Sequence, residues 1–120
     1  MMKKLITRRI LKTSQYSVQG LLSAWKSEEA FRVEVILMLV LLPAAFFIGK
    51  SAVEICLLVM SIFIVLIVEL LNTGLEKTID RISMEVNDIS GFVKDVGSAA
   101  VAISIIQALI VWAIIYFANR

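Results

Sequence analysis

The chain has 120 residues, 60% of them apolar and only 18% charged, with a formal net charge of +2. A soluble domain carries about 25% charge, and a chain this short buries one modest core, so in water this much apolar sequence would leave large exposed patches. The absence of histidine excludes histidine-based catalysis and ligation, and Cys56, the single cysteine, excludes a disulfide framework and a cysteine metal site. A bilayer takes up the apolar surface, so the composition is that of an all-α membrane protein with residues 1–120 as one domain.

The first 26 residues hold Lys3, Lys4, Arg8, Arg9, Lys12 and Lys26 and no acid. That asymmetry suits the anionic cytoplasmic leaflet and places the N-terminus on the cytoplasmic side. Residues 5–25 fit a helix in which Leu5, Ile6, Ile10, Leu11, Val18, Leu21, Leu22 and Trp25 lie among basic and hydroxyl side chains. This predicts an amphipathic helix on the membrane surface, with Trp25 as its interfacial anchor. A secretory signal peptide fits poorly, because the first long apolar run begins only after residue 34.

A spanning helix needs about 20 residues at ~1.5 Å each to cross ~30 Å of hydrocarbon. Val35–Gly49 reaches that length only when extended back through Phe31 and Ala30, giving a first span over 30–49 with Arg32 and Glu34 near the membrane surface. Pro43 lies inside it, where neighbouring helices tolerate a kink. Gly49–Ser51 reads as a tight turn, which makes the first two spans an antiparallel hairpin. The second span covers 52–71, with Glu54 near one end and Glu69 near the other. A longer, strongly charged segment, Asn72–Asp95, leads to an uncharged third span over 96–118. Three spans from a cytoplasmic N-terminus put the 49–51 turn outside, the 72–95 segment inside and the C-terminus outside. With Arg32 assigned to the first span, the basic arm together with Lys77, Arg81 and Lys94 places nine of the twelve Lys and Arg inside.

The residues fit for chemistry gather at that inner surface. If the second span continues as a helix, Glu69, Asn72, Thr73, Glu76 and Asp80 share one face, with positions 76 and 80 each within about 20° of position 69. An ionised carboxylate at the edge of the hydrocarbon is costly, so such residues usually face a bundle interior and serve function; the plainer alternative is pairing with Lys or Arg, or solvation among headgroups. A second acidic run, Glu28-Glu29-Ala30-Phe31-Arg32-Val33-Glu34, precedes the first span, and Glu28 and Arg32 have the spacing of an ordinary helical ion pair. Carboxylates converging near Lys94, Asp95 and Arg9 suit a Mg²⁺–phosphate site, since magnesium takes one or two carboxylates plus substrate phosphates. Positioning and charge neutralisation are most of what phosphoryl transfer requires. No GxxxxGK(S/T), GxGxxG, HRD or DFG motif is present, so a kinase here would belong to a fold unrelated to the soluble ones. Gly97-Ser98-Ala99-Ala100, with Ala102 and Ser104, opens the third span. Small residues there allow close helix packing, and Ser98 is a candidate to line a lipid headgroup pocket.

Across nearly its full length the chain resembles the prokaryotic integral-membrane diacylglycerol kinases. The matching strings are Tyr16-Ser17, Gly20-Leu21, Ala24-Trp25, Glu28, Ala30-Phe31-Arg32, Glu34, Glu69-Leu-Leu-Asn72, Glu76, Asp80-Arg81-Ile82, Ser90-Gly91 and Lys94-Asp95-Val-Gly-Ser-Ala-Ala-Val101. The resemblance implies a homotrimer of three-span subunits with active sites shared between neighbours, and ATP-dependent phosphorylation of diacylglycerol to phosphatidic acid. It implies Glu28 and Glu76 as Mg²⁺ ligands, Glu69 as the base facing the lipid hydroxyl, and Asn72, Lys94 and Asp95 as catalytic or nucleotide-contacting residues. Arg9, Tyr16 and Ser17 would contribute to the ATP site from the surface helix. The expected partners are diacylglycerol, ATP, membrane lipid and two further copies of the chain, with no nucleic acid. A polyprenol (undecaprenol) kinase and a non-enzymatic helical membrane assembly protein are the alternatives. The chain departs from the family at Val33, where well-known members carry glutamine, and at Asn87, where a histidine occurs.

Overall fold

The computed structural model describes residues 1–82 and 85–120, which form four α-helices and no strand. Helix α1 is Met2–Ser27, α2 is Glu29–Ile48, α3 is Ala52–Ile82 and α4 is Asp88–Asn119. Helices α2, α3 and α4 are each long and apolar enough to cross a membrane. Helices α1 and α2 lie within three residues of the expected 5–25 and 30–49, and two boundaries differ by more. The second span is the apolar part of a 31-residue helix that runs on through the acidic face to Ile82. The third starts at Asp88, eight residues ahead of its uncharged part. Most of the segment read as a charged connection is therefore helical. Charge does not stop a helix; only loss of the backbone ladder does, and Gly74 and Gly91 cost too little to end one. Asn87 supplies the start of α4, its side chain accepting from the N–H groups of Ile89 (2.8 Å) and Ser90 (3.3 Å), which satisfies two of the orphan donors at that end.

A single extended residue, Glu28 (φ −117°, ψ 108°), separates α1 from α2. Arg32 fixes this elbow. Its Nη1 donates to the carbonyls of Trp25 (2.8 Å) and Lys26 (3.2 Å), the unsatisfied C-terminal end of α1. The expected Glu28–Arg32 pairing is thereby replaced: Glu28 lies outside helical geometry, and the guanidinium turns back to helix carbonyls. At the other end of α2, which runs unbroken through Pro43, the turn closes on Gly49. A Cβ there would meet Ile55 Cγ1 at 2.7 Å, so only glycine lets α3 return this closely. Ser51 Oγ then accepts from Glu54 N–H at 3.2 Å, and Glu54 Oε1 accepts from Lys50 N–H at 3.1 Å.

Helix α3 is central, packing most extensively on α4 and next on α2. The interior is thin and divided between two ends. Ala24, Phe31 and Leu66 form a cluster beside the elbow, and Ala45, Leu58 and Ile115 another beside the 49–51 turn. Polar ties join α4 to α3, and to the end of α2, between and beyond them. Trp112 Nε1 donates to Ser61 Oγ at 3.0 Å, and Gln107 Nε2 donates to the Ser61 carbonyl at 2.8 Å. Asn119 Nδ2 donates to the Ile48 carbonyl (2.9 Å) and to Glu54 Oε1 (2.5 Å). The principal extents are 51 × 49 × 23 Å. Helices of 31–32 residues account for one long dimension at about 1.5 Å per residue; the second requires α1 to run outward from the bundle.

Candidate active site

The acidic face of α3 is where the sequence reading placed it, and it turns inward. Glu69 and Asn72 are 7% and 9% exposed, a carboxylate and an amide held among helices. Glu28 from the elbow, Glu34 from α2 and Glu76 one turn beyond Asn72 are half-buried. All three lie close enough to Glu69 for the charges to interact with it. Asn72 Nδ2 donates to Glu76 Oε1 at 3.3 Å, orienting that carboxylate. Lys77 Nζ stands 4.0 Å from Glu28 Oε1, the nearest countercharge to the group and a tie between the elbow and α3. Among the described residues, Glu34 Oε2 and Asn72 Oδ1 are buried without a hydrogen-bond partner.

Glu34 is a member of this group that residue-type reasoning did not single out. A positional signal was present: in an antiparallel hairpin, residues at similar distances from the Gly49–Ser51 turn lie at similar depth, and Glu34 and Glu69 nearly meet that condition. Glu34 also lines an apolar groove of about 830 Å³ between α2, α3 and α4. Glu29 and Glu34 are its acidic lining residues, beside Ala30 and Val33, and Leu37, Leu109 and Trp112 continue it along the bundle. Val33, the position that departs from glutamine, is therefore an apolar wall beside a carboxylate.

The remaining expected residues are not drawn into the cluster within one chain. Lys94 is exposed and pairs with Asp80 at 2.9 Å, which ties α4 to α3 beyond Glu76. Asp95 and Ser98 are exposed on the first turns of α4. Arg9, Tyr16 and Ser17 are exposed on α1. At ~1.5 Å per residue, Arg9 lies about 28 Å and Tyr16 about 18 Å along α1 from Glu28. Arg9 and Tyr16 share one stripe of the helix, whereas Ser17 is about 100° away from Tyr16 and its hydroxyl donates to the Thr13 carbonyl at 2.9 Å. Among the described residues, no three carboxylates close on a point that could hold a metal by themselves.

The profile of the family described as prokaryotic diacylglycerol kinase matches residues 15–116. The chain belongs to that family. The diacylglycerol kinase of Haemophilus influenzae is 44% identical over 108 residues, covering 90% of this chain and 92% of the relative. That of Escherichia coli strain K12 is 42% identical over 111 residues (92% and 91%), and that of Pseudomonas aeruginosa 42% over 108 residues (90% and 88%). The group of Glu28, Glu34, Glu69, Asn72 and Glu76 lies wholly inside the span matched to the family, while Arg9 precedes it.

Proposed function

We propose that this chain transfers the γ-phosphoryl group of ATP to diacylglycerol, forming phosphatidic acid and ADP at the cytoplasmic face of the bacterial inner membrane. The observation that supports this reading most is the burial of Glu69 beside Glu34, where Glu34 forms the polar end of an apolar groove. A lipid whose acyl chains follow the groove presents its headgroup hydroxyl to these two carboxylates. Glu69, ionised, accepts the hydroxyl proton; the oxygen attacks the γ-phosphorus, and the bond to the bridging oxygen of ADP breaks. Glu28 and Glu76 would hold Mg²⁺, which supplies neutralisation of the phosphate charge. Asn72 orients Glu76, and Lys77 balances Glu28. Lys94 and Asp95 reach the nucleotide from α4, and Ser98 lines the headgroup side.

On this reading α1 lies on the membrane surface, and Arg9, Tyr16 and Ser17 bind nucleotide there. The length of α1 separates Arg9 and Tyr16 from the carboxylates of their own chain, which favours a homotrimer in which each site combines residues of two copies. The large apolar side chains exposed along the spans, among them Phe47 and Ile103, face lipid and neighbouring copies. The N-terminus is cytoplasmic, the C-terminus periplasmic, and residues 1–120 act as one kinase unit.

The test is purified protein in mixed micelles with ATP and diacylglycerol, with and without Mg²⁺, beside a polyprenol and the Glu69→Gln and Glu76→Gln variants. The expected outcome is metal-dependent phosphatidic acid, nearly lost in both variants while they remain assembled. Turnover on polyprenol alone would overturn the substrate, and a folded Glu76→Gln protein with unchanged turnover would overturn the metal assignment.

A further inference from the structure

Helices α3 and α4 come into close contact where Asn72 meets Gly97. Gly97 is buried, and a Cβ built on it would overlap Asn72 Oδ1 and stand 3.3 Å from Asn72 Cγ. Gly97 has an ordinary helical φ, so its backbone does not demand glycine; the demand is spatial. The hydrogen that takes the place of a side chain points at Oδ1, an atom that has no hydrogen-bond partner among the described residues, which makes this a Cα–H···O contact. The other end of the same amide, Nδ2, donates to Glu76 Oε1. The amide is thus clamped between the backbone of α4 and a carboxylate of the site.

We propose that Gly97 is a positioning residue: its missing Cβ seats the Asn72 amide against α4, and the seated amide sets the orientation of the Glu76 carboxylate. The inference rests on the metal reading of Glu76 for its functional consequence, but not for its structural one. Adding one methyl group at position 97 need not part the helices. Asn72 Oδ1 ends a short side chain that can rotate, and alanine is the better helix former. The amide therefore moves, and Nδ2 leaves Glu76. Groups that orient a metal ligand are worth about 10–100-fold in metal affinity.

The experiment uses full-length protein in detergent micelles and compares wild type, Gly97→Ala, Asn72→Ala, the double variant and Glu76→Gln. Two readouts are taken: the NMR position of the Asn72 side-chain amide, and Mn²⁺ binding by electron paramagnetic resonance as a probe of the cation site. Expected for Gly97→Ala are a displaced Asn72 amide signal, little change in the amide signals around Gly49, and Mn²⁺ binding weakened about 10–100-fold. The double variant should bind Mn²⁺ no more weakly than Asn72→Ala alone, because the amide through which Gly97 acts is already gone. An unmoved Asn72 signal, or losses from the two substitutions that multiply, would overturn the proposal. Undiminished Mn²⁺ binding by Glu76→Gln would instead defeat the metal reading, and the displaced amide would still establish the seating of Asn72 by Gly97.

Discussion

Glu69 is surrounded by Val68, Leu70 and Leu66 in sequence, and α3 buries it with a second carboxylate, Glu34, nearby. Removing a charge from water costs several kcal/mol unless it is well paired, so this arrangement opposes stability and is the kind retained at a site for its chemistry. Glu69→Gln keeps the shape and removes the charge. Thermal unfolding in detergent should show the variant at least as stable as wild type, while turnover falls by about 10²–10⁴-fold, the range of a lost general base. Loss of assembly in that variant would point to a structural carboxylate. Arg32 shows the limit of spacing arguments at this scale. Its i,i+4 relation to Glu28 was legible, but Glu28 leaves the helix, and a guanidinium offered two orphan carbonyls takes them. Arg32→Ala should lower stability by about 1 kcal/mol, read as a lower unfolding midpoint, and loosen the elbow that presents Glu28.

At the scale of elements, α3 is the organising helix. Its 31 residues span about 46 Å at ~1.5 Å each, longer than ~30 Å of hydrocarbon, so the helix is long enough to extend beyond an apolar layer. Apolar burial between membrane helices lacks the driving force it has in water, so packing and interhelical hydrogen bonds hold α3 to α4. The Trp112–Ser61 bond is the measurable case. A double-mutant cycle of Ser61→Ala and Trp112→Phe should give a coupling of about 0.6–1.7 kcal/mol; a coupling near zero would mean that shape alone sets the α3–α4 register. The acidic face was legible from the 3.6-residue period. These ties were not, because serine, glutamine and tryptophan in an apolar run have no period that names their partner.

The whole molecule is an elbow: a three-helix bundle with α1 running outward from it. One chain leaves large apolar side chains exposed and separates Arg9 from Glu69, and both features fit a site completed by another copy. Subunit mixing tests this directly. Arg9→Ala and Glu69→Gln proteins, each nearly inactive alone, should regain turnover when unfolded, mixed and reassembled together, since some sites then draw an intact α1 and an intact Glu69 from different chains. No recovery on mixing would place both residues of each site in one chain.

By itself the sequence determined the class, the number of spans and the carboxylate face, because hydrophobic length and helical period are properties of a single element read along its own axis. It also supplied the motifs shared with the family, at fixed spacings. Only the tertiary structure decided that Glu34 joins Glu69, that Lys94 is taken up by Asp80, and that Gly97 yields its space to Asn72. Each of these depends on the depth and rotation of one helix against another. Those quantities follow from packing between surfaces far apart in sequence, where a single methyl group is enough to change which side chains meet.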